Sequence, residues 1–166
     1  MTGTDLSNVE LVRQTVEQIA GQDLDAARRV WTDATVERFP DRTCHGADEI
    51  AAYFSDLYRA VDGFHVEVLT IAGSGDDVFV QWRMTGRHTG PVLGVAGTGR
   101  ELAVDGMDHF VVRAGLIVSN FVIFDQMQFA RQVGLLPADT SMADRALKAA
   151  FNAKTKAADA VKKRRR

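Results

Sequence analysis

Apolar residues recur at helical spacing early in the chain: Val9, Val12, Val16, Ile19 and Ala20. That spacing predicts an amphipathic helix over residues 8–20. Ser7 and Glu10 form a capping box at its start, and Gly21 stops it. Asp23 can cap a second helix over about 24–31, with Leu24, Ala27 and Trp31 turned inward. Thr35 to Phe39 predicts a short strand ended by Pro40. Gly46 precedes a third helix, about 47–59, whose apolar face is Ile50, Tyr53, Phe54 and Leu57, with Tyr58 beside them.

After Asp62-Gly63 the period changes from helical to alternating. Phe64 to Ala72 predicts a strand, and Gly73 to Asp77 a turn. Val78, Val80, Trp82 and Met84 alternate with Phe79, Gln81, Arg83 and Thr85, which predicts a long strand over 78–88. Gly90 to Gly99 carries four glycines and Pro91 and reads as a loop, because no Gly-Lys-Ser/Thr follows to make a phosphate cradle. Two more strands, Arg100–Arg113 and Leu116–Asp125, meet at the turn Ala114-Gly115. A helix over 126–133 ends at Gly134 and Pro137, and Ser141 to Asp144 opens a final Ala- and Lys-rich helix. The expected architecture is α+β. Three N-terminal helices pack in a curved, mainly antiparallel sheet that leaves a cone-shaped pocket, and a C-terminal helix follows. The division is a cone domain over 1–137 and a helical extension with a basic tail over 138–166.

The last strand directs attention to one acid. Strict alternation puts Ile117, Ser119, Phe121, Ile123 and Asp125 on one face, with no Lys or Arg within five residues of Asp125. A carboxyl among apolar groups resists ionisation, and such groups gather at functional sites. Capping the helix that starts near Gln126 is the other reading of Asp125, and the sequence pattern by itself favours it. Asp108 shares pleat parity with Phe110 and Val112, so it can face the same cavity, while Asp108-His109 also reads as a hydrogen-bonded pair at the sheet edge. Trp31, Tyr53 and Tyr58 read as core residues or as walls of a pocket. Arg83 faces either solvent or a polar pocket.

Charge narrows the chemistry. Residues 144–166 hold nine basic and two acidic side chains, a net +7, which leaves 11 basic and 20 acidic residues before them, a net −9. Every lysine lies at or after Lys148, so Schiff-base chemistry in the body is excluded. The single cysteine, Cys44, permits no internal disulfide, and His45, His65, His88 and His109 are scattered, so no metal site and no cofactor are expected. No apolar run is long enough to span a membrane and no signal peptide is seen, which predicts a cytoplasmic protein. The basic tail is read as a solvated segment that folds back on the acidic body, and no nucleic-acid partner is expected.

Several motifs, in order, resemble the SnoaL-like polyketide cyclase family of the nuclear-transport-factor-like, ketosteroid isomerase-like superfold. They are Gly46-Ala47-Asp48-Glu49-Ile50, Gly75-Asp76-Asp77-Val78, Thr85 to Gly90, the loop Gly94–Gly99, Gly115-Leu116-Ile117 with Asp125 eight residues after Ile117, and Gln132 to Pro137. The resemblance covers about residue 9 to Pro137. It implies that Asp125 holds the acid/base position of the cyclases and that His88 matches the His of a Gly-Thr-His motif. Arg38-Phe39 stands where the family has a His-Asp pair, and Val95-Ala96-Gly97 where it has a double-proline loop. The implied activity is cofactor-free ring closure of a hydrophobic polyketide- or steroid-like carbonyl compound by an intramolecular aldol step. Catalytic candidates are Asp125, His88, Asp108 and His109. Substrate-binding candidates are Trp31, Arg38, Tyr53, Tyr58, Arg83, Phe110, Phe121 and Ile123. The expected partner is a small hydrophobic ligand, and similar proteins commonly form homodimers. Two alternatives remain open. One is an isomerase or an epoxide hydrolase, the latter using Asp108, Asp125 and Arg83. The other is a ligand-binding protein without chemistry, in which the amides of Gln126–Gln128 tie up Asp125 and side chains fill the cavity.

Overall fold

A computed structural model describes residues 7–164; the last two residues of the basic tail, Arg165 and Arg166, lie outside them. Helix α1 (Asn8–Ala20) begins where the Ser7 side chain accepts the Glu10 N–H, and it buries Leu11, Val12, Val16 and Ile19. Helix α2 is only Leu24–Ala27, capped by Asp23, and a 3₁₀ turn, Arg28–Val30, completes the predicted second helix. Strands β1 (Val36–Arg38) and β2 (Thr43–His45) form a small hairpin before α3 (Gly46–Ala60). Four long strands follow: β3 (Val61–Ser74), β4 (Asp77–His88), β5 (Glu101–Arg113) and β6 (Leu116–Phe124). Helix α4 (Gln126–Gln132) and helix α5 (Met142–Arg164) close the chain.

The six strands make one sheet in the order β2-β1-β6-β5-β4-β3. All neighbours are antiparallel except β1 and β6, which run parallel. The sheet is curved and unclosed, and α1 and α3 pack across its inner face with Trp31, Phe39, Ile50, Val80 and Phe110 in one core. A second apolar cluster of Phe64, Met84, Leu102, Val104, Phe129 and Val133 lies under the 90–99 loop. The β5–β6 turn is built by Ala114 and Gly115, both at positive φ (49° and 74°), as a two-residue hairpin between right-twisted strands requires.

Two corrections matter for function. Strand β2 pairs with β1, an element that the hydrophobic pattern does not predict. More consequential is a bulge in β6. Ile117 pairs with Val112 and Ser119 with Val111, so Val118 is an extra residue without a partner. One inserted residue reverses the alternation beyond it. Asn120 and Val122 are therefore buried, while Phe121 and Ile123 are 41% and 50% exposed on the outer face.

Helix α5 is joined to the body through Asp144. Its carboxylate accepts from Arg131 at 3.1 Å, from Lys148 at 2.6 Å and from the Thr140 N–H at 3.3 Å. No helix among the described residues is long and apolar enough to cross a membrane.

Candidate active site

The sheet brings one polar row to the lining of a cavity. Glu37 of β1 lies opposite Asn120 of β6, and Asn120 pairs with Phe110 of β5, two residues from Asp108. The Asn120 Nδ2 donates to Asp108 Oδ2 at 3.2 Å and to Glu37 Oε2 at 3.4 Å. From the other side the Trp82 Nε1–H donates to Asp108 Oδ1 at 2.9 Å. Trp82 reaches that position because its register partner on β5 is Gly106. A Cβ at residue 106 would sit 2.3 Å from the indole ring. The glycine therefore admits the tryptophan, and the tryptophan holds the acid.

Burial dominates the electrostatics of this row. It pushes the Asp108 carboxyl up to about 6, against the hydrogen bonds from Trp82 and Asn120 that hold it down. Glu37 is pushed further, to about 8, by burial first and by the negative charge of Asp108 second. Asn120 and the nearby Trp31 indole lower it only in part. Burial and mutual repulsion thus oppose two charges in the row, and of the two carboxyls Glu37 holds its proton the more firmly.

Above the row is a cavity of about 130 Å³. Its walls are Phe39, Tyr53, Phe54, Trp82, Phe110 and Val122, with Phe129 of α4 and Val92 and Leu93 of the 90–99 loop towards one side. Tyr53 stacks on Phe39, with ring centroids 3.7 Å apart, and burial holds its hydroxyl proton firmly. The Arg42 guanidinium lies 5.4 Å from the Tyr53 ring centre, is paired with Asp41, and is the one cation on the lining among the described residues.

Of the residues proposed from sequence, Asp108, Tyr53 and Phe110 line this cavity. Asp125 does not. It is exposed, and its Oδ1 accepts the Gln128 N–H at 2.8 Å as the N-cap of α4. The bulge at Val118 is the reason that alternation misplaced it. His88 is buried beside the cavity lining, its Nδ1 3.2 Å from Thr98 Oγ1 and its ring edge-on to Phe129. His109 lies on the outer face, stacked on Phe79 and paired with Asp77 at 2.7 Å. Arg83 is exposed and chelated by Asp105 at 2.6 and 3.0 Å. Arg38 is exposed over the Phe121 ring, so Arg38, Phe121 and Ile123 form an outer surface. Trp31 packs in the core behind Glu37, stacked on Phe54. Tyr58 donates to the Ile19 carbonyl at 2.8 Å, and burial pushes its hydroxyl up to about 12. The trio Asp108, Asp125 and Arg83 is thus not assembled. Asp125 is tied to a Gln128 amide as a ligand-binding protein would have it, but the cavity is open rather than filled.

Glu37, Asn120, Trp82 and Gly106 were not singled out as site residues from sequence. Glu37 carried a signal: it is an acid on a short strand that ends at a proline, and alternation puts it on the same face as the apolar Phe39.

The family model for SnoaL-like polyketide cyclases matches residues 9–133. The chain belongs to this family. No curated protein matches the sequence. A structure from Jannaschia sp. CCS1 described as a SnoaL-like polyketide cyclase is 25% identical, with a TM-score of 0.71 over 81% of this chain and 100% of that one. TsrD from Streptomyces laurentii is 21% identical, with a TM-score of 0.71 and the same coverage of both chains. IdmH from Streptomyces antibioticus, described as a polyketide cyclase, is 19% identical, with a TM-score of 0.68 over 78% of this chain and 99% of that one. At those identities TsrD and IdmH speak for the fold. Another structure of this group is described as having the ketosteroid isomerase-like fold. Among the described residues no three His, Cys, Asp or Glu side chains are grouped to hold a metal ion.

Proposed function

We propose that this SnoaL-like protein is a cofactor-free acid/base enzyme whose base is Asp108. The observation that carries the reading is a carboxylate with two fixed donors at the floor of an aromatic, ligand-sized cavity. The cavity is on the scale of one that takes a single benzene ring, so one ring of the substrate enters and any remainder lies outside it. The substrate is an apolar cyclic or polyketide-like carbonyl compound.

Asp108 removes a proton from the carbon α to a carbonyl, and the C–H electron pair becomes an enolate. The enolate carbon attacks a second carbonyl of the same molecule and forms a C–C bond. The new alkoxide takes the proton back from the Asp108 carboxylic acid. With Asp108 near 6, the group is charged at pH 7 yet basic enough to take a proton, and its conjugate acid returns it readily. The donors available to the enolate oxygen are the Tyr53 hydroxyl and the Arg42 guanidinium. The first half of this sequence is also what an isomerase of the same fold performs, and the two differ only in whether a second carbonyl is within reach.

The reading is tested by α-proton exchange. A cyclic ketone such as 2-tetralone is incubated in D₂O with the protein, and loss of its α-proton signal is followed by NMR. Wild type accelerates exchange, and Asp108→Asn loses it by about 10²- to 10⁴-fold, the usual contribution of a general base. Exchange that is unchanged in Asp108→Asn overturns the assignment.

A further inference from the structure

Glu37 is a fully buried acid on the cavity lining that none of these steps uses. It is 1% exposed, and its Oε2 meets the same Asn120 nitrogen that donates to Asp108. An amide nitrogen has two hydrogens in one plane. A carboxyl on each of them fixes that plane, so each acid sets the amide's orientation for the other.

We propose that Glu37 is a positioning residue for Asp108: it holds the Asn120 amide so that one N–H stays on Asp108 Oδ2, and its own charge state is transmitted to Asp108 through that amide. The proposal rests on Asp108 being the base and adds what regulates it.

The surroundings of Glu37 make the coupling specific. From β5 the charged group is Asp108, and from β2 the Cys44 thiol faces it across the register pair. Asn120 of β6 and Trp31 are polar but uncharged. From α3, Tyr53 and Asp56 line the same cavity, as do Asp41 and Arg42 between β1 and β2, and α1 contributes only Val16 and Ile19 to it. Among the described residues no cationic side chain pairs with Glu37. Its ionisation is therefore opposed chiefly by burial and by Asp108.

The consequence is a two-sided working range. Below about 6 Asp108 is protonated and cannot act as a base. Above about 8 Glu37 is charged. A second carboxylate then repels the negative charge that moves onto the substrate oxygen and draws the Asn120 N–H towards itself. Between those limits one acid is charged and the other holds its proton.

The test needs no substrate. Protein labelled with ¹³C at Asp and Glu carboxyls is titrated by NMR while the Asn120 side-chain NH₂ signals are followed. The expected result is a Glu37 midpoint near 8 at which the Asn120 NH₂ and the Asp108 carboxyl carbon also shift. In Glu37→Gln that event vanishes from both, while the Asp108 midpoint stays near 6 and the Asn120 protons stay well separated. In Glu37→Met the two Asn120 protons move towards free-amide positions and the Asp108 midpoint rises. A Glu37 titration without any response at Asn120 or Asp108 overturns the proposal, as does a Glu37→Met protein whose Asn120 and Asp108 signals match wild type. If Glu37→Met does not fold, the wild-type titration decides alone. Asp108 failing as a base shows in the exchange assay instead, so the two failures are separable.

Discussion

Replacing Glu37 by Gln is predicted to change the pH dependence of stability more than stability itself. The ordinary glutamate value of 4.5 rises to about 8 in the fold. Below pH 4.5 the folded and unfolded chains both hold the proton, and the group costs nothing. As pH rises the unfolded chain releases it while the folded chain keeps it, so the folded state loses ground up to the folded-state value. At pH 7 the gap from 4.5 corresponds to about 3 kcal/mol, at ~1.4 kcal/mol per unit. Gln has the same shape and no charge, and removes this dependence. Its extra N–H, if it finds no acceptor behind Asn120, costs about 1–3 kcal/mol at every pH. The diagnostic is therefore the slope. In urea titrations from pH 5 to 8, the stability of Glu37→Gln relative to wild type should climb with a slope approaching ~1.4 kcal/mol per pH unit near pH 6 and flattening towards pH 8. Two parallel stability curves would refute the reasoning, because they would mean that Glu37 ionises in the fold as it does in water.

Three further outcomes follow from the same contacts. Asp125→Ala should cost about 1 kcal/mol through the lost cap of α4, read by chemical denaturation, and leave ketone exchange within a few-fold of wild type. Gly106→Ala should push the Trp82 indole off Asp108, costing about 1–3 kcal/mol from overpacking and lowering exchange, and the Trp82 indole N–H signal should move away from its hydrogen-bonded position in an NMR spectrum. The exchange rate of wild type should rise with pH through about 6 as Asp108 ionises and fall again through about 8 as Glu37 does, and Glu37→Gln should keep the first limb and lose the second.

Much of the frame was legible because local signals agreed with the fold. The Ser7–Glu10 cap, the helical stripe of α1 and the alternation from Val78 to Met84 all stand in the structure as read. Asp108 was reachable by parity because β5 runs from Val104 to Val112 without a bulge. The same argument failed on β6, where Val118 is inserted and the phase is lost before Phe121. A bulge has no signature in a run of Ile, Val and Phe, since both phases look apolar. Glu37 and Asn120 were hidden for a related reason. They meet across a parallel pairing of strands 83 residues apart, and neither neighbourhood alone announces it. Gly106 was invisible until the Trp82 ring was seen against it.

Which aspartate does the chemistry is read most directly from the ratio of ketone α-proton exchange rates for Asp125→Asn and Asp108→Asn. With Asp108 as the base, the Asp125→Asn protein exchanges at close to the wild-type rate and at least about 100-fold faster than Asp108→Asn. A ratio at or below one would contradict it.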